Sequence, residues 1–392
     1  MNDLTACVAF LQRLIQTPSL PGEEETIAGL VCAEMERLGY DDVALDKAGN
    51  AIGKLAGRGA APAMMLNTHL DHVDVGDPAR WPHPPFGGEI HDDRVWGRGA
   101  VDIKGPLATQ VYGAARLKRK GIVPAGDVYV TAVVYEEIGG LGADYLTRTL
   151  TPPYIVIGEP SRNELRRGHR GRLELELHVT GKSVHASVPE RGVNPLEVVA
   201  AFITGLAGVA RGSDPDLGES SFAPTLIRTD QISSNVVPSE AWLTIDWRNV
   251  PGESDDAVIA RLQALADRCL IPGATATVSM PSTLRTSYTG YAVDQTASNG
   301  PFITRADDPA LVAAQQVLGA ALGSVPATGL WRFATDGGHF IRTSATLIGF
   351  GPGDEGLAHT VDEHIPIAQL ATALDAYEAL AERWTASIAG GS

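Results

Sequence analysis

Apolar residues in the first 170 positions follow two alternating patterns. Stretches with apolar residues at helical spacing include "KGPLATQVYGAARLKRKG", with Pro106 near its first turn and Gly121 at its end, and a helix is also expected from Leu4 to Ile15. Between such stretches lie short continuous apolar runs: "APAMMLNTHLD", the segment before "GRGAVDIKG", "DVYVTAVVYEE" and "YIVIGEPS". The alternation predicts an α/β domain in which a central mixed sheet carries helices on both faces.

The pattern changes near Gly171. The run "RLELELHVT" alternates apolar and polar residues, as expected for a strand in a sheet with one wet face. A helix at about 195–210, two strands, a helix from Ser254 to Cys269 and the strand "ATATVSM" follow. This β-α-β-β-α-β order predicts a ferredoxin-like α+β module. Helix and strand alternate again afterwards, so residues 171–284 are expected to form a domain inserted into a larger one made of residues 1–170 and 285–392.

Composition excludes several classes of protein. A formal net charge of −16 disfavours nucleic acid and anionic membrane as partners. The chain has no apolar run of the ~20 residues that a membrane span needs, and its first residues lack the basic region of a secretory signal. Cys7, Cys32 and Cys269 are too few and too widely spaced for a disulfide framework. A soluble protein of the cytoplasm is therefore expected.

Histidine and acidic residues stand where the predicted strands of the larger domain end. Because ligands bind at the carboxyl ends of strands in an open α/β sheet, these residues are expected to converge. Crowded carboxylates repel one another unless a cation lies among them. The residues concerned are His69, Asp71, Asp102, Glu136, Glu137, Glu159 and His359.

The mixture of imidazole and carboxylate, without thiolate, favours zinc, cobalt or manganese over calcium and magnesium. The number of ligands predicts two ions per subunit. If Asp102 bridges them, His69 and Glu159 complete one site, and Glu137 and His359 complete the other.

Glu136 is then not needed as a ligand and is the candidate catalytic base, which would move the proton of a water molecule. Asp71 lies two residues from His69 and is expected to accept the far ring N–H of that ligand. His72 and Asp74 repeat the same spacing one step later, so spacing leaves this second pair open. His69 is preferred because it comes first after the apolar run.

Seven segments together resemble one family of dinuclear zinc amidohydrolases and metallopeptidases, which includes acetylornithine deacetylase, succinyl-diaminopimelate desuccinylase, aminoacylase and glutamate carboxypeptidase. The resemblance is collinear from about residue 65 to residue 365. It implies a zinc-exopeptidase-like catalytic domain and the ligand assignments above, and it selects His69 over His72. The segments are "THLDHVDVGDPARWPHPPFGGEIHDDRVWGRGAVDIKGP", "EEIGG", "GEPS", "GKSVHASVPERGVNP", "SNVVPSEAWLTIDWR", "TDGGHF" and "GPGDEGLAHTVDE".

The same resemblance implies roles for the inserted domain. It would mediate homodimerisation and close over the site, with His185 reaching the partner subunit's site to stabilise the oxyanion. Asn235 and Arg248, and less strongly Arg170, fall where relatives bind a substrate carboxylate. The chain departs from its relatives in "TDGGHF", because many of them carry an arginine after this turn.

The expected function is metal-dependent hydrolysis of an amide bond in a small carboxylate-bearing substrate. Deacylation of an N-acyl amino acid is the first expectation, as in acetylornithine deacetylase or succinyl-diaminopimelate desuccinylase. The alternative is a dipeptidase or carboxypeptidase that uses the same two ions. The two reactions share one kind of scissile amide, so the sequence leaves both open.

Overall fold

The computed structural model describes residues 2–390, and these form two compact units. Within the described residues, the larger unit contains 2–169, 284–293 and 302–390. The second unit contains residues 170–283 and 294–301. Its last segment returns because a short strand at Ser298–Asn299 pairs with Arg172 and Leu173.

The helices lie close to the amphipathic stretches of the sequence. Their bounds are α1 Asp3–Ile15, α2 Glu25–Leu38, α3 Gly105–Lys120, α4 Leu141–Thr149, α5 Pro195–Gly205, α6 Asp255–Cys269, α7 Pro309–Leu322, α8 Gly337–Phe340 and α9 Ile367–Gly390. No helix within residues 2–390 combines the length and the apolar character needed to cross a membrane.

The strands range from two-residue pairings to nine-residue strands. Their bounds are β1 Asp42–Leu45, β2 Ala51–Leu55, β3 Met64–His69, β4 Ile90–His91, β5 Arg94–Trp96, β6 Val128–Val133, β7 Tyr154–Ile157, β8 Leu165–Arg166, β9 Gly168–His169, β10 Arg172–Thr180, β11 Val184–His185, β12 Ser213–Asp214, β13 Gly218–Glu219, β14 Ser221–Thr229, β15 Val236–Val237, β16 Glu240–Arg248, β17 Thr275–Ser279, β18 Ser282–Thr286, β19 Ala292–Thr296, β20 Ser298–Asn299, β21 Phe302–Ile303, β22 Thr328–Gly329, β23 Thr346–Gly349 and β24 His364–Pro366.

The larger unit is built on an eight-stranded mixed sheet with the order β1-β2-β6-β3-β7-β23-β8-β22. Its central strands β6, β3, β7 and β23 run parallel, whereas β1 and β2 are antiparallel to their neighbours. The predicted mixed α/β fold is confirmed. Because the central strands are parallel, β3, β6 and β7 all end at one edge of the sheet, and the residues that follow them share that edge.

Both faces of this sheet are buried. Leu66 of β3 and Val130 of β6 belong to the core formed with α1, α2, α3, α7 and α9. Met65 and Val133, on the opposite face of the same two strands, pack in a second core with Leu146 of α4. A strand that is covered on both faces has no polar positions to alternate, which explains the continuous apolar runs.

The second unit has an antiparallel sheet with the order β14-β16-β10-β17, and β20 adds to β10. Alternate residues of β10, including Leu173 and Leu177, are buried in a core with α5 and α6. The chain order β10, α5, β14, β16, α6, β17 is the expected β-α-β-β-α-β order. This sheet order is that of a ferredoxin-like module, in which the first strand lies between the third and the fourth.

Candidate metal centre

His69 is the last residue of β3, and its side chain is buried. Its Nε2 lies 3.1 Å from Asp102 Oδ1, and its Nδ1 lies 3.0 Å from the backbone oxygen of Asp71. The Asp71 carboxylate is farther from the ring, with Oδ1 at 3.5 Å from Nδ1. The nearest acceptor of the far ring N–H is therefore the Asp71 carbonyl, and the carboxylate expected from the spacing is a second, more distant contact of the same nitrogen.

The Asp71 carboxylate has another use. Its Oδ1 accepts the backbone N–H of Glu136, and its Oδ2 accepts the backbone N–H of Glu137, each at 3.1 Å. Asp71 is fully buried, so these charge-assisted hydrogen bonds are made away from water. Asp71, two residues after β3, thereby holds the backbone of the two glutamates that follow β6.

Asp102 presents one carboxylate oxygen to each of two histidines. Its Oδ1 lies 3.1 Å from His69 Nε2, and its Oδ2 lies 3.2 Å from His359 Nε2. Burial raises the pKa of Asp102, but hydrogen bonds from His359 and His69 outweigh that effect and hold the pKa well below its usual range. Each oxygen of the Asp102 carboxylate thus has its own imidazole partner.

Two further acids complete the cluster. Glu137 Oε2 lies 3.1 Å from His359 Nε2, and Glu159 Oε1 lies 3.7 Å from His69 Nε2. The donor atoms of His69, Asp102 and Glu137 lie within 4.8 Å of one another, as do those of His69, Glu136 and Glu159.

The cluster concentrates charge where its acids and His69 are largely buried, while the His359 side chain is half exposed. Burial raises the pKa of Glu136, Glu137 and Glu159, and neighbouring carboxylates raise it further. The carboxylates of Asp102 and Glu137 raise the pKa of His359 to about 10. Such a group of acids and imidazoles is stabilised by cations, supplied by protons or by metal ions. The donor set, imidazole with carboxylate and no thiolate, suits borderline metals such as zinc.

His72 is occupied elsewhere. Its Nε2 accepts the backbone N–H of Ser19 at 2.9 Å, and its Nδ1 lies 2.8 Å from the backbone oxygen of Val73. Asp74 Oδ1 accepts the N–H of Gly76 in an exposed turn. The histidine–aspartate pair that spacing left open therefore serves packing and a turn.

The sequence profile of the peptidase family M20/M25/M40 matches residues 65–383. This range includes all seven histidine and acidic residues that the sequence places at the ends of the predicted strands. The chain belongs to this family. Succinyl-diaminopimelate desuccinylase of Alkalilimnicola ehrlichii is 27% identical over 392 residues, covering 96% of this chain and 97% of the relative. The uncharacterized protein YgeY of Escherichia coli strain K12 is 29% identical over 385 residues, covering 96% and 94%.

Solved structures of M20 peptidases have the same fold. The metallo-carboxypeptidase Sso-CP2 from Sulfolobus solfataricus superposes with a TM-score of 0.77 at 18% identity, covering 98% of this chain and 100% of that one. The YXEP protein from Bacillus subtilis, described as a dinuclear metal binding peptidase, has a TM-score of 0.74 at 15% identity, covering 98% and 99%. Family membership makes this chain a metal-dependent hydrolase of the amidohydrolase and peptidase class.

The other candidate residues of this M20 chain lie in the second unit, where they form two groups. His185 pairs with Val236 across β11 and β15, and Asn235 accepts the N–H of Ala186 through its backbone oxygen at 2.9 Å. Nδ1 of His185 accepts the backbone N–H of Ser187 at 3.1 Å. In the neutral ring this leaves the proton on Nε2, so the exposed edge of His185 is a hydrogen-bond donor.

Arg170 and Arg248 form the second group, around Ser221. Arg248 is opposite Ser221 in the β14–β16 pairing, and Arg170 donates to Ser221 Oγ at 3.0 Å. The Nε of Arg248 also donates to Asp246 Oδ1 at 2.6 Å. Two guanidinium groups thus lie at one end of the second sheet.

Several polar residues around the centre do not follow from the sequence patterns. Asp336 is 2% exposed and accepts the side-chain N–H of Asn67 through Oδ2 at 3.0 Å, while its Oδ1 has no hydrogen-bond partner within residues 2–390. Burial raises the pKa of Asp336 to about 7. The acid lies in a loop before α8 rather than at a strand end, so a search of strand ends misses it.

Glu363 is a second such residue. Its Oε1 accepts the backbone N–H groups of Val101 and Asp102 at 2.9 and 3.1 Å, and its Oε2 receives Arg98 Nη1 at 2.6 Å. All these groups are largely or fully buried. Glu363 holds the backbone that carries Asp102, a role for which the "TVDE" segment contains no local signal.

Proposed function

We propose that this chain hydrolyses an amide bond in a small substrate that bears a carboxylate, with N-acyl amino acids as the first class. The observation that carries the proposal is Asp102, whose two oxygens face His69 and His359 while Glu136 lies alongside. The desuccinylase relative, which is similar over nearly the whole of both chains, supports the choice of an acyl group over a longer peptide.

Two divalent ions would be held with Asp102 between them. His69 and Glu159 would complete one site, and Glu137 and His359 the other, with zinc preferred and cobalt or manganese possible for the same donor atoms. When bound, such ions supply Lewis acidity toward the scissile carbonyl and toward a water molecule.

Glu136 is the proposed proton carrier. Its Oε2 is 3.9 Å from His69 Nε2, its side chain is largely buried, and the Asp71 carboxylate holds its backbone. From this position Glu136 takes the proton of the attacking water and passes it to the leaving nitrogen, a contribution of roughly 10²- to 10⁴-fold. Glu137, its neighbour, would be a metal ligand in this proposal.

The second unit supplies substrate contacts in this proposal. Arg248, Asn235 and Arg170 bind the substrate carboxylate, for which a guanidinium is suited by its planar pair of donors. His185 stabilises the oxyanion in the site of the partner subunit of a homodimer. The Nε2 donor of His185 supports this role, because a developing oxyanion needs a donor in place before the reaction. A cytoplasmic location is part of the same proposal.

A dipeptidase or carboxypeptidase is the second candidate function. An aminoacyl group and an acyl group present the same scissile amide, so the same metal ligands and base would serve either reaction.

Activity on acetyl-, succinyl- and glycyl-amino acids, each assayed with zinc, cobalt and manganese, separates the two candidates. A deacylase turns over the acetyl or succinyl compounds, and a dipeptidase turns over the glycyl compounds. Glu136→Gln is the control: it should bind as much metal as the wild type by elemental analysis yet lose nearly all turnover. Turnover of none of these compounds by metal-replete wild type would contradict the proposal, and persistent activity in Glu136→Gln would remove Glu136 as the base.

A further inference from the structure

A second group of metal-binding side chains lies outside the centre described above, in the segment between His69 and Asp102. It consists of His83, Glu89 and His91. The Nε2 of His91 is 2.8 Å from Glu89 Oε2, and the Nδ1 of His83 is 3.7 Å from the same oxygen. One donor atom from each residue lies within 4.8 Å of the other two.

The backbone brings these residues together by local means. Strands β4 and β5 form a hairpin with Ile90 opposite Val95 and His91 opposite Arg94. Glu89 is two residues before His91, and its backbone oxygen accepts the N–H of Trp96, so Glu89 and His91 project from the same face of the hairpin.

His83 lies in a segment of restricted backbone conformation. Pro82, Pro84 and Pro85 flank it, and proline restricts both its own backbone and that of the preceding residue. The rings of His83 and His91 are stacked with centroids 3.9 Å apart, and the Trp96 ring lies 4.8 Å from His83. The proline run and these ring contacts keep both imidazoles beside Glu89.

The three donors are of the kinds that zinc prefers. Two imidazole nitrogens and one carboxylate oxygen, with a fourth position open to solvent, form a known zinc ligand set. The three donor atoms lie within 4.8 Å of one another, and because the stacked imidazole planes are only 12° from parallel, one ring has to rotate for both nitrogens to face the same ion. His83 is partly exposed and the other two are exposed, so a cation can enter from water.

We propose that His83, Glu89 and His91 form a separate site for one divalent transition-metal ion of the zinc class. The ion joins the proline run to the β4–β5 hairpin. Pro85 accepts the backbone N–H of Arg98, whose side chain pairs with Glu363, and Glu363 holds the backbone of Asp102. The ion therefore stiffens the segment that connects His69 to Asp102 without being part of the reaction.

Metal counting tests the proposal on the intact protein. Wild type, His91→Ala, Glu89→Gln and His364→Ala are stripped with chelator, dialysed against the same free zinc concentration and analysed for zinc and protein. His364 is the matched control, because its ring contacts Trp96 at 4.3 Å but lies outside the cluster. Far-UV circular dichroism establishes that each variant is folded.

We expect His91→Ala and Glu89→Gln to bind one zinc ion fewer than the wild type, and His364→Ala to bind as many as the wild type. The added zinc should also raise the melting temperature of the wild type more than that of His91→Ala. Equal zinc content in wild type, His91→Ala and Glu89→Gln would overturn the proposal, as would the loss of an ion in His364→Ala. The difference between proteins does not depend on how many ions the Asp102 centre binds, so this test stands apart from that of the proposed function.

Discussion

The carboxylate of Asp71 accepts the backbone N–H of Glu136 at 3.1 Å. This contact joins the end of β3 to the turn that follows β6, and the second oxygen of Asp71 does the same for Glu137. A residue that sequence spacing assigns to a histidine ring thus positions the candidate base and its metal-binding neighbour.

Asp71→Asn should lower turnover by about 10- to 100-fold and weaken metal binding, because an amide has one acceptor oxygen and its NH₂ group would face an N–H donor. Turnover and metal content of purified protein measure the effect. Asp74→Asn is the control, since Asp74 accepts a hydrogen bond from Gly76 in an exposed turn. Normal turnover in Asp71→Asn would show that its contacts to the two glutamates are dispensable.

Asp102→Ala should lose metal as well as rate. Removing the proposed bridge leaves His69 and His359 without the carboxylate that faces both of them. Elemental analysis should show that Asp102→Ala binds fewer ions than the wild type by more than about one per chain, with turnover at background. Asp362 is an exposed acid three residues after His359. Asp362→Ala should therefore keep its metal content and its turnover. Full metal occupancy in Asp102→Ala would argue against a bridge.

Gly140→Ala should disturb the turn that follows Glu136 and Glu137. Gly140 has φ +71°, and an added Cβ would lie 2.2 Å from Nε2 of the buried His339. Displacement of this turn by about 1 Å can reduce turnover by about 100-fold. Turnover and urea unfolding are the measurements.

Gly121→Ala is the matched control for Gly140→Ala. Gly121 has φ +66°, but its added Cβ would meet no atom within 4 Å. The free energy of unfolding of this variant should fall by only about 1–2 kcal/mol, which is the cost of placing an alanine in a left-handed backbone conformation, and its activity should be unchanged. Equal losses of stability and equal activity in the two variants would mean that the contact with His339 has no effect.

Glu34 should make stability depend on pH in the acid range. Burial raises the pKa of Glu34, but hydrogen bonds from Arg37, Tyr112 and Arg13 outweigh burial and lower the pKa to about 2. A folded-state pKa below the unfolded value means that the contribution is complete above about pH 4.5 and is lost as the pH falls toward 2.

Glu34→Gln should therefore lower the free energy of unfolding by about 1–2 kcal/mol at pH 7. This is less than the full pKa shift would give, because Arg13 and Arg37 are half exposed and water screens their charges. Urea unfolding of wild type and variant at pH 7 and at pH 3 measures this, and the difference between the two proteins should shrink at the lower pH. Glu36→Gln, exposed on the same helix, is the control. A difference that stays constant with pH would contradict the assignment.

Activity should reappear when two inactive proteins, Glu136→Gln and His185→Ala, share a dimer. If His185 acts across the interface, one of the two sites in a mixed dimer has both residues, so the purified mixed dimer should have about half of wild-type activity. Co-expression of the two chains with separable tags, followed by assay of the mixed species, measures it. No recovery in verified mixed dimers would argue that His185 does not act in the partner subunit.

Local features of the chain are predictable from sequence because their causes are local. The helices expected at Leu4–Ile15 and Ser254–Cys269 are observed at Asp3–Ile15 and Asp255–Cys269, with Asn2 and Ser254 as their capping residues. A cap and a period of 3.6 residues act within one or two turns of chain. The helix expected to extend to about residue 210 ends at Gly205, where a short helical turn follows.

Contacts between distant segments were not predictable in the same way. The return of residues 294–301 to the second unit depends on a pairing with β10, more than 100 residues earlier. Asp336 and Glu363 act on groups that the sequence places far from them, Asn67 and the backbone of Asp102. No short-range pattern records such partners.

The sequence by itself determined which residue types stand at the ends of the strands. A strand that is buried on both faces is a continuous apolar run, so the first polar residue after the run marks its end. Those types already limit the chemistry to imidazole and carboxylate. Only the tertiary structure decided that Asp102 faces two histidines and that the Asp71 carboxylate holds the backbone of Glu136 and Glu137. The physical reason is that parallel strands bring their carboxyl ends together across hundreds of residues, and that alignment depends on the pairing of whole strands.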